Sequence, residues 1–114
     1  MAKEKSSISY YRRARLTMSF ISAGDLAMEI QKPDELAILD GRSHASYAHG
    51  HLLWAASLGV EAVAETATKL IPRLATPIVV IDDGGGEAQE LGSELQSCGL
   101  ENVRVLKGGM TSWI

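Results

Sequence analysis

Residues 77–86, PIVVIDDGGG, decide how the rest of the chain is read. Ile78, Val79, Val80 and Ile81 form a continuous β-branched run, the composition of a strand covered on both faces at the centre of a parallel sheet. Polar chemistry begins abruptly at Asp82 and Asp83, where that strand ends. Gly84, Gly85 and Gly86 then let the backbone turn with its N–H groups pointing inward, and a helix is expected from Glu87. A turn of this kind at a helix N-terminus is an anion nest. In an open α/β sheet, ligands bind in the crevice outside the carboxyl ends of the strands, so this loop is the candidate functional site. It carries acids and no nucleophile.

Downstream of the loop, the spacing predicts a helix over 87–98 that buries Leu91 and Leu95, with Gly99 as its C′ residue, and then a strand over 103–106. Gly108 and Gly109 turn the chain into a last helix that stops at Ile114 almost before it has begun, as expected of a piece cut from a longer protein. Upstream, 60–70 reads as a helix with Val63, Ala67 and Leu70 on one side, closed by Pro72. Residues 52–58 read as a short strand around Trp54, and 41–50 as a loop and a short helix ending at Gly50. The run LAIL over 36–39 is a buried strand that terminates at Asp40. Ser22, with Asp25 three residues later, resembles a capping box with Asp in place of Glu. It opens a helix that carries Leu26 and Ile30 on one face and ends at Lys32 and Pro33, and 16–21 precedes it as a short first strand. Strands alternating with helices at short spacing indicate an α/β domain with a parallel sheet and right-handed crossovers.

A chain of 114 residues, 46% hydrophobic and 22% charged, fits one domain with a single core. The expected division is a basic N-terminal segment over 1–15 and the α/β domain over 16–114. Residues 1–16 hold Lys3, Lys5, Arg12, Arg13 and Arg15 against Glu4, a charge of +4; with −3 for the whole chain, residues 17–114 carry −7. An acidic body is poorly suited to steering anionic ligands or nucleic acid toward itself, so no nucleic-acid partner is expected. No apolar run approaches the roughly 20 residues that span a bilayer, so no membrane partner is expected either. Arg12 and Arg13 ahead of Leu16, Met18, Phe20 and Ile21 have the look of a twin-arginine export signal, but Ser19, Ser22, Gly24 and Asp25 interrupt the apolar segment. A cytoplasmic location follows as the expectation, and the single cysteine, Cys98, is ordinary there.

Three motifs then resemble a known family. Leu39-Asp40-Gly41-Arg42 resembles the L-D-x-R that follows the second strand of rhodanese-like domains, and Tyr47-Ala48-His49-Gly50-His51 resembles their Y-x-x-G-H. Asn102-Val103 through Leu106, then Gly108, Gly109 and Trp113, resembles their closing N-V-x-x-L-x-G-G-x-x-x-W. The motifs lie in the family's order and spacing across 18–114. The resemblance implies a three-layer α/β/α domain with a five-stranded parallel sheet in the order 3-2-4-5-1, which places Asp40 and Asp82 at the ends of neighbouring strands. It also implies that Asp82 stands where active members carry the cysteine that forms a persulfide, and Glu87 where an arginine is often found. A carboxylate cannot hold a persulfide, and an acid in place of an arginine repels an anionic sulfur donor. The loop Asp82-Asp83-Gly84-Gly85-Gly86-Glu87 is similar to that of the non-catalytic domains of tandem sulfurtransferases. Leu53 and Trp54 depart from the Pro-Gly that commonly follows the family's G-H-I.

The expected function is therefore a catalytically inactive rhodanese-like module, structural, regulatory or interacting, whose partner is another domain of the same protein or a separate protein, with no cofactor. The alternative is an enzyme that binds a divalent metal through Asp82, Asp83 and Glu87 and uses it in hydrolysis. Asp40 and Arg42 are expected to form a strand-end ion pair that braces the loop, with catalytic support as their other possible role. Cys98 is expected to be a buried structural cysteine beside the stripe of Leu91 and Leu95. His44, His49 and His51, five and then two residues apart, do not share one helical face, so no metal site is expected from them. The dinucleotide fingerprint fails because Gln89 stands at its third glycine position, and no G-K-[ST] supports a P-loop. Phosphatases of the cell-cycle type need a loop cysteine and arginine and are excluded on the same residues.

Overall fold

A computed structural model of the chain describes residues 18–59, 63, 66, 69, 71, 73–84 and 86–113. Its elements run β1 (Ser19–Ile21), α1 (Ala23–Ile30), β2 (Ala37–Asp40), α2 (His44–His49), β3 (Ala56–Ser57), β4 (Ile78–Ile81), α3 (Glu87–Ser97), β5 (Val103–Leu106) and α4 (Gly109–Trp113). The strands form one five-stranded sheet in the order β1-β5-β4-β2-β3, and each pairing is parallel. Read from the other edge this is the order 3-2-4-5-1 implied by the motifs.

β4 is central because its four side chains are fully buried, and strict alternation sends them to two cores. Ile78 and Val80 meet Leu39, Val103 and Val105 and the α3 residues Ala88, Leu91 and Leu95. Val79 and Ile81 meet Ile21, Leu26, Ile38 and Leu106 on the other face, with Tyr47, Met110 and Trp113 packed at the margin. Each such side chain contributes about 1.5 to 3 kcal/mol when buried, so the β-branched run holds both helical layers at once. Asp40 and Ile81 are register partners, which sets the Asp40 and Asp82 loops side by side at the carboxyl end of the sheet. Among the described residues, no helix is long and apolar enough to cross a membrane.

The helix ends follow their local chemistry. Ser22 is the N-cap of α1, and its Oγ accepts the Asp25 N–H at 3.1 Å. At the end of α3, Gly99 takes φ +95°, its N–H bonds to the Gln96 carbonyl, and the Leu100 N–H reaches back to the Leu95 carbonyl. That is a Schellman closure, and it returns Leu100 to the core. It also corrects the expectation for Cys98. The helix stops at Ser97, so the apolar stripe does not extend to Cys98, which sits at the C-cap and is exposed. A thiol reagent should consequently label Cys98 in folded and denatured protein at similar rates; protection of the folded thiol by more than about tenfold would contradict this placement.

The expected third strand over 52–58 contracts to Ala56–Ser57. The Ala55 N–H bonds to the Leu52 carbonyl, and the turn so formed puts Leu53 and Trp54 at 78% and 67% exposure while Leu52 and Ala55 go inward. Of the helix expected over 60–70, Val63, Thr66 and Lys69 are helical and Val63 is buried. Ala67, Leu70, Pro72 and residues 1–17 lie outside the described residues.

β5 carries a polar member that periodicity did not mark. Arg104 forks onto Glu29 of α1, Nη1 to Oε2 at 2.6 Å and Nη2 to Oε1 at 2.8 Å. The Arg104 hydrogen bonds, ahead of its charge, hold the Glu29 carboxyl below its ordinary value of 4.5, against the opposing effect of burial. A carboxylate with a depressed folded pKa stabilises the fold above its unfolded value and loses that contribution as pH falls through the folded one. The stability difference between wild type and Glu29→Gln should therefore be constant at neutral pH and shrink below pH 4.5, as read from urea unfolding across a pH series. A difference that grows on acidification would contradict the ion pair.

Candidate active-site loop

Asp82 leaves β4 and turns back on its own loop. It is 4% exposed. Its Oδ1 accepts the Gly84 N–H at 2.8 Å, and its Oδ2 accepts the Gly86 N–H at 3.2 Å and the Ala88 N–H at 2.9 Å. Gly84 and Gly86 adopt φ +92° and +96°, a left-handed conformation that aims their amides at the carboxylate and that side-chain-bearing residues rarely adopt. The N-cap position of α3 is Gly86, which has no side chain to cap with. Asp82 supplies the missing acceptor from four residues upstream, and its charge lies at the positive end of the helix dipole. The nest is thus filled from within. Gly85 lies outside the described residues.

The chain's end closes on this loop. The Met110 N–H donates to the Asp82 carbonyl at 2.7 Å. A Cβ on Gly109 would lie 2.5 Å from that carbonyl oxygen and 2.9 Å from Asp82 Oδ1, and Gly109 has φ +64°. Only glycine allows α4 to approach so closely. Sequence reasoning read Gly108 and Gly109 as a turn and missed that the second one seats the loop; the signal available was the doubled glycine itself.

Beside Asp82, Asp40 is wholly buried and Arg42 nearly so. Arg42 Nε lies 3.0 and 3.1 Å from the two Asp40 oxygens, Nη2 lies 2.8 Å from Oδ2, and the Arg42 backbone N–H adds a bond of 3.0 Å to Oδ1. Nη2 also donates to the Gly50 carbonyl at 2.6 Å, which ties the end of α2 to the pair. Hydrogen bonding to Asp40, ahead of charge, raises the Arg42 pKa above its ordinary value. The guanidinium is committed to the scaffold. Its Nη1 comes within 3.8 Å of Asp83 Oδ1, whose side chain is otherwise half exposed.

The three acids therefore diverge. Asp82 points into the loop amides, Asp83 points outward past Arg42, and Glu87 lines a crevice of about 660 Å³ with Arg42, Ser43, His44 and Glu90. Among the described residues, no group of three or more His, Cys, Asp or Glu could hold a metal ion. The metal-enzyme alternative is not favoured, because the carboxylate that would anchor a cation already accepts three backbone N–H donors.

The histidines separate in the same way. His44 lines the Glu87 crevice, whereas His49 and His51 line a different hollow with Arg42 and Met110. His51 stacks on Tyr47 at 3.8 Å between ring centroids, with its Nδ1 2.8 Å from the Tyr47 carbonyl. The Tyr47 hydroxyl donates to the Ala55 carbonyl at 2.6 Å. The Tyr-x-x-Gly-His stretch is thus a clip that fixes the turn into β3.

Comparison with known proteins agrees with this geometry. A family profile described as rhodanese-like domain matches residues 22–114. No curated protein matches the sequence. Among solved structures, the thiosulfate sulfurtransferase from Pseudomonas aeruginosa superposes with a TM-score of 0.79 at 32% identity, over 84% of this chain and 18% of its own. This chain thus spans less than a fifth of that protein's length. The rhodanese-like domain of a protein from Anabaena sp. superposes with a TM-score of 0.75 at 26% identity, over 85% of this chain and 74% of its own. A rhodanese-like domain protein from Staphylococcus aureus, at 18% identity and a TM-score of 0.74 over 85% of this chain and 92% of its own, shows the same fold.

Proposed function

We propose that this chain, which belongs to the rhodanese-like domain family, is a catalytically inactive member that acts as a structural, regulatory or interaction module of a sulfurtransferase-type protein. The observation that carries the reading is the Asp82 carboxylate, buried and bonded to three backbone amides of the loop and the first turn of α3. Sulfur transfer through a persulfide needs a thiolate nucleophile among those amides, where an anion can be received. A carboxylate in that place offers no sulfur and neutralises the nest. The remaining thiol, Cys98, lies at the far end of α3, roughly 16 Å along the helix from Glu87 at 1.5 Å per residue. The partner is another domain of the same protein or a separate protein, and the module works in the cytoplasm, where a lone thiol is unremarkable.

The test is a thiosulfate:cyanide sulfurtransferase assay on wild type and Cys98→Ser. Both should give background turnover. Turnover above background that survives Cys98→Ser would overturn the reading.

A further inference from the structure

The turn that leads into β3 leaves apolar surface in water. Leu53 and Trp54 are its two central residues, and the bond from the Ala55 N–H to the Leu52 carbonyl holds both outward. Beside Trp54 is a hollow of about 140 Å³. Ile30, Leu36, Ile38 and Trp54 give it an apolar lining that continues into the core through the buried Ile38. Three charged residues line it too. Glu29 is already forked onto Arg104, whereas Lys32 and Asp34 form no ion pair among the described residues. Leu36 and Ile38 stand at the start of β2 and Asp40 at its end, so the hollow lies at the opposite end of the sheet from the Asp82 loop. An exposed tryptophan and leucine beside an apolar recess have the composition of an interface centre.

We propose that this surface joins two copies of the chain about a twofold axis, with Leu53 of each copy seated in the hollow beside Trp54 of the other. The sizes match: an apolar cavity of about 150 Å³ accepts benzene, a larger group than a leucine side chain. The arrangement matches as well. A twofold contact needs one patch that carries both a projection and the recess for it, and here the projecting Leu53 adjoins the residue that walls the recess. Charge selects a second copy as the occupant. The rim holds one unpaired cation and one unpaired anion, so Lys32 of each copy can face Asp34 of the other, whereas a rim of a single sign would repel itself. A contact centred on two residues a side falls short of the roughly 800 Å² a side of a standard interface, so the dimer is weak, with a Kd on the order of 100 µM. The surface is separate from the loop, and the outcome of a sulfurtransferase assay does not bear on it.

The test is sedimentation equilibrium of the full chain at low salt, from about 10 µM to about 1 mM. Wild type is expected to pass from monomer to dimer across that range, and Leu53→Asp to weaken the dimer by at least about tenfold. Lys32→Glu alone and Asp34→Lys alone should each weaken it, and an equimolar mixture of those two variants should restore association, because the mixed dimer regains both opposite-charge pairs. A wild type that stays monomeric at the highest concentration overturns the proposal and assigns the surface to a different protein. A dimer indifferent to Leu53→Asp, or a variant mixture no more associated than its components, overturns it as well, since the copies would then meet elsewhere.

Discussion

Arg42→Ala is expected to cost the domain about 3 to 5 kcal/mol of stability at neutral pH. Asp40 is wholly buried, and Arg42 provides the side-chain donors that compensate its charge. Truncation leaves a carboxylate in the interior with one backbone N–H for company. The substitution also releases the Gly50 carbonyl, and with it the end of α2. Arg42→Lys should recover only part of the loss, since an ammonium cannot reproduce the forked geometry. Adding Asp40→Asn to Arg42→Ala should recover part by removing the stranded charge. Chemical denaturation of the three variants measures this, and a loss below about 1 kcal/mol for Arg42→Ala would show that water reaches Asp40 after all.

Asp82→Ala is expected to cost about 2 to 4 kcal/mol, mostly at one donor. Gly84 and Gly86 are exposed, and water can replace the carboxylate at their N–H groups. Ala88 is fully buried, so its N–H loses an acceptor that bulk water does not replace. The first turn of α3 loses its cap at the same time. The vacated nest should then accept an oxyanion, so sulfate or thiosulfate in excess stabilises Asp82→Ala and leaves wild type unchanged. Thermal unfolding at increasing sulfate distinguishes the two proteins. An equal response would contradict the self-filled nest.

Much of this architecture was legible in the chain. Ile78–Ile81 is β-branched throughout because both faces of β4 are covered, and Gly84 and Gly86 after it have the positive φ that the turn demands. The order of the sheet was not in the periodicity; it came through motifs that place Leu39, Tyr47 and Trp113 in a familiar sequence. What stayed hidden shares a physical cause. The Ala88 and Met110 amides that hold Asp82 are backbone donors, which leave no mark on residue type. Glu29 and Arg104 are 75 residues apart, and nothing local pairs them. Leu53 and Trp54 continue an apolar run that looks like a strand, yet a single turn bond throws both outward. Cys98 continues the helical spacing of Leu91 and Leu95, but a Schellman closure ends the helix before it.

The central claim is that the Asp82 carboxylate fills the anion nest of its own loop. The direct measurement is a thiosulfate titration of isotope-labelled wild type and Asp82→Ala, following the backbone amide resonances of Gly84, Gly86 and Ala88. These three amides are expected to stay in place in wild type and to shift saturably in Asp82→Ala. Saturable shifts of the same amides in wild type would mean that the nest is open to an external anion, and would contradict it.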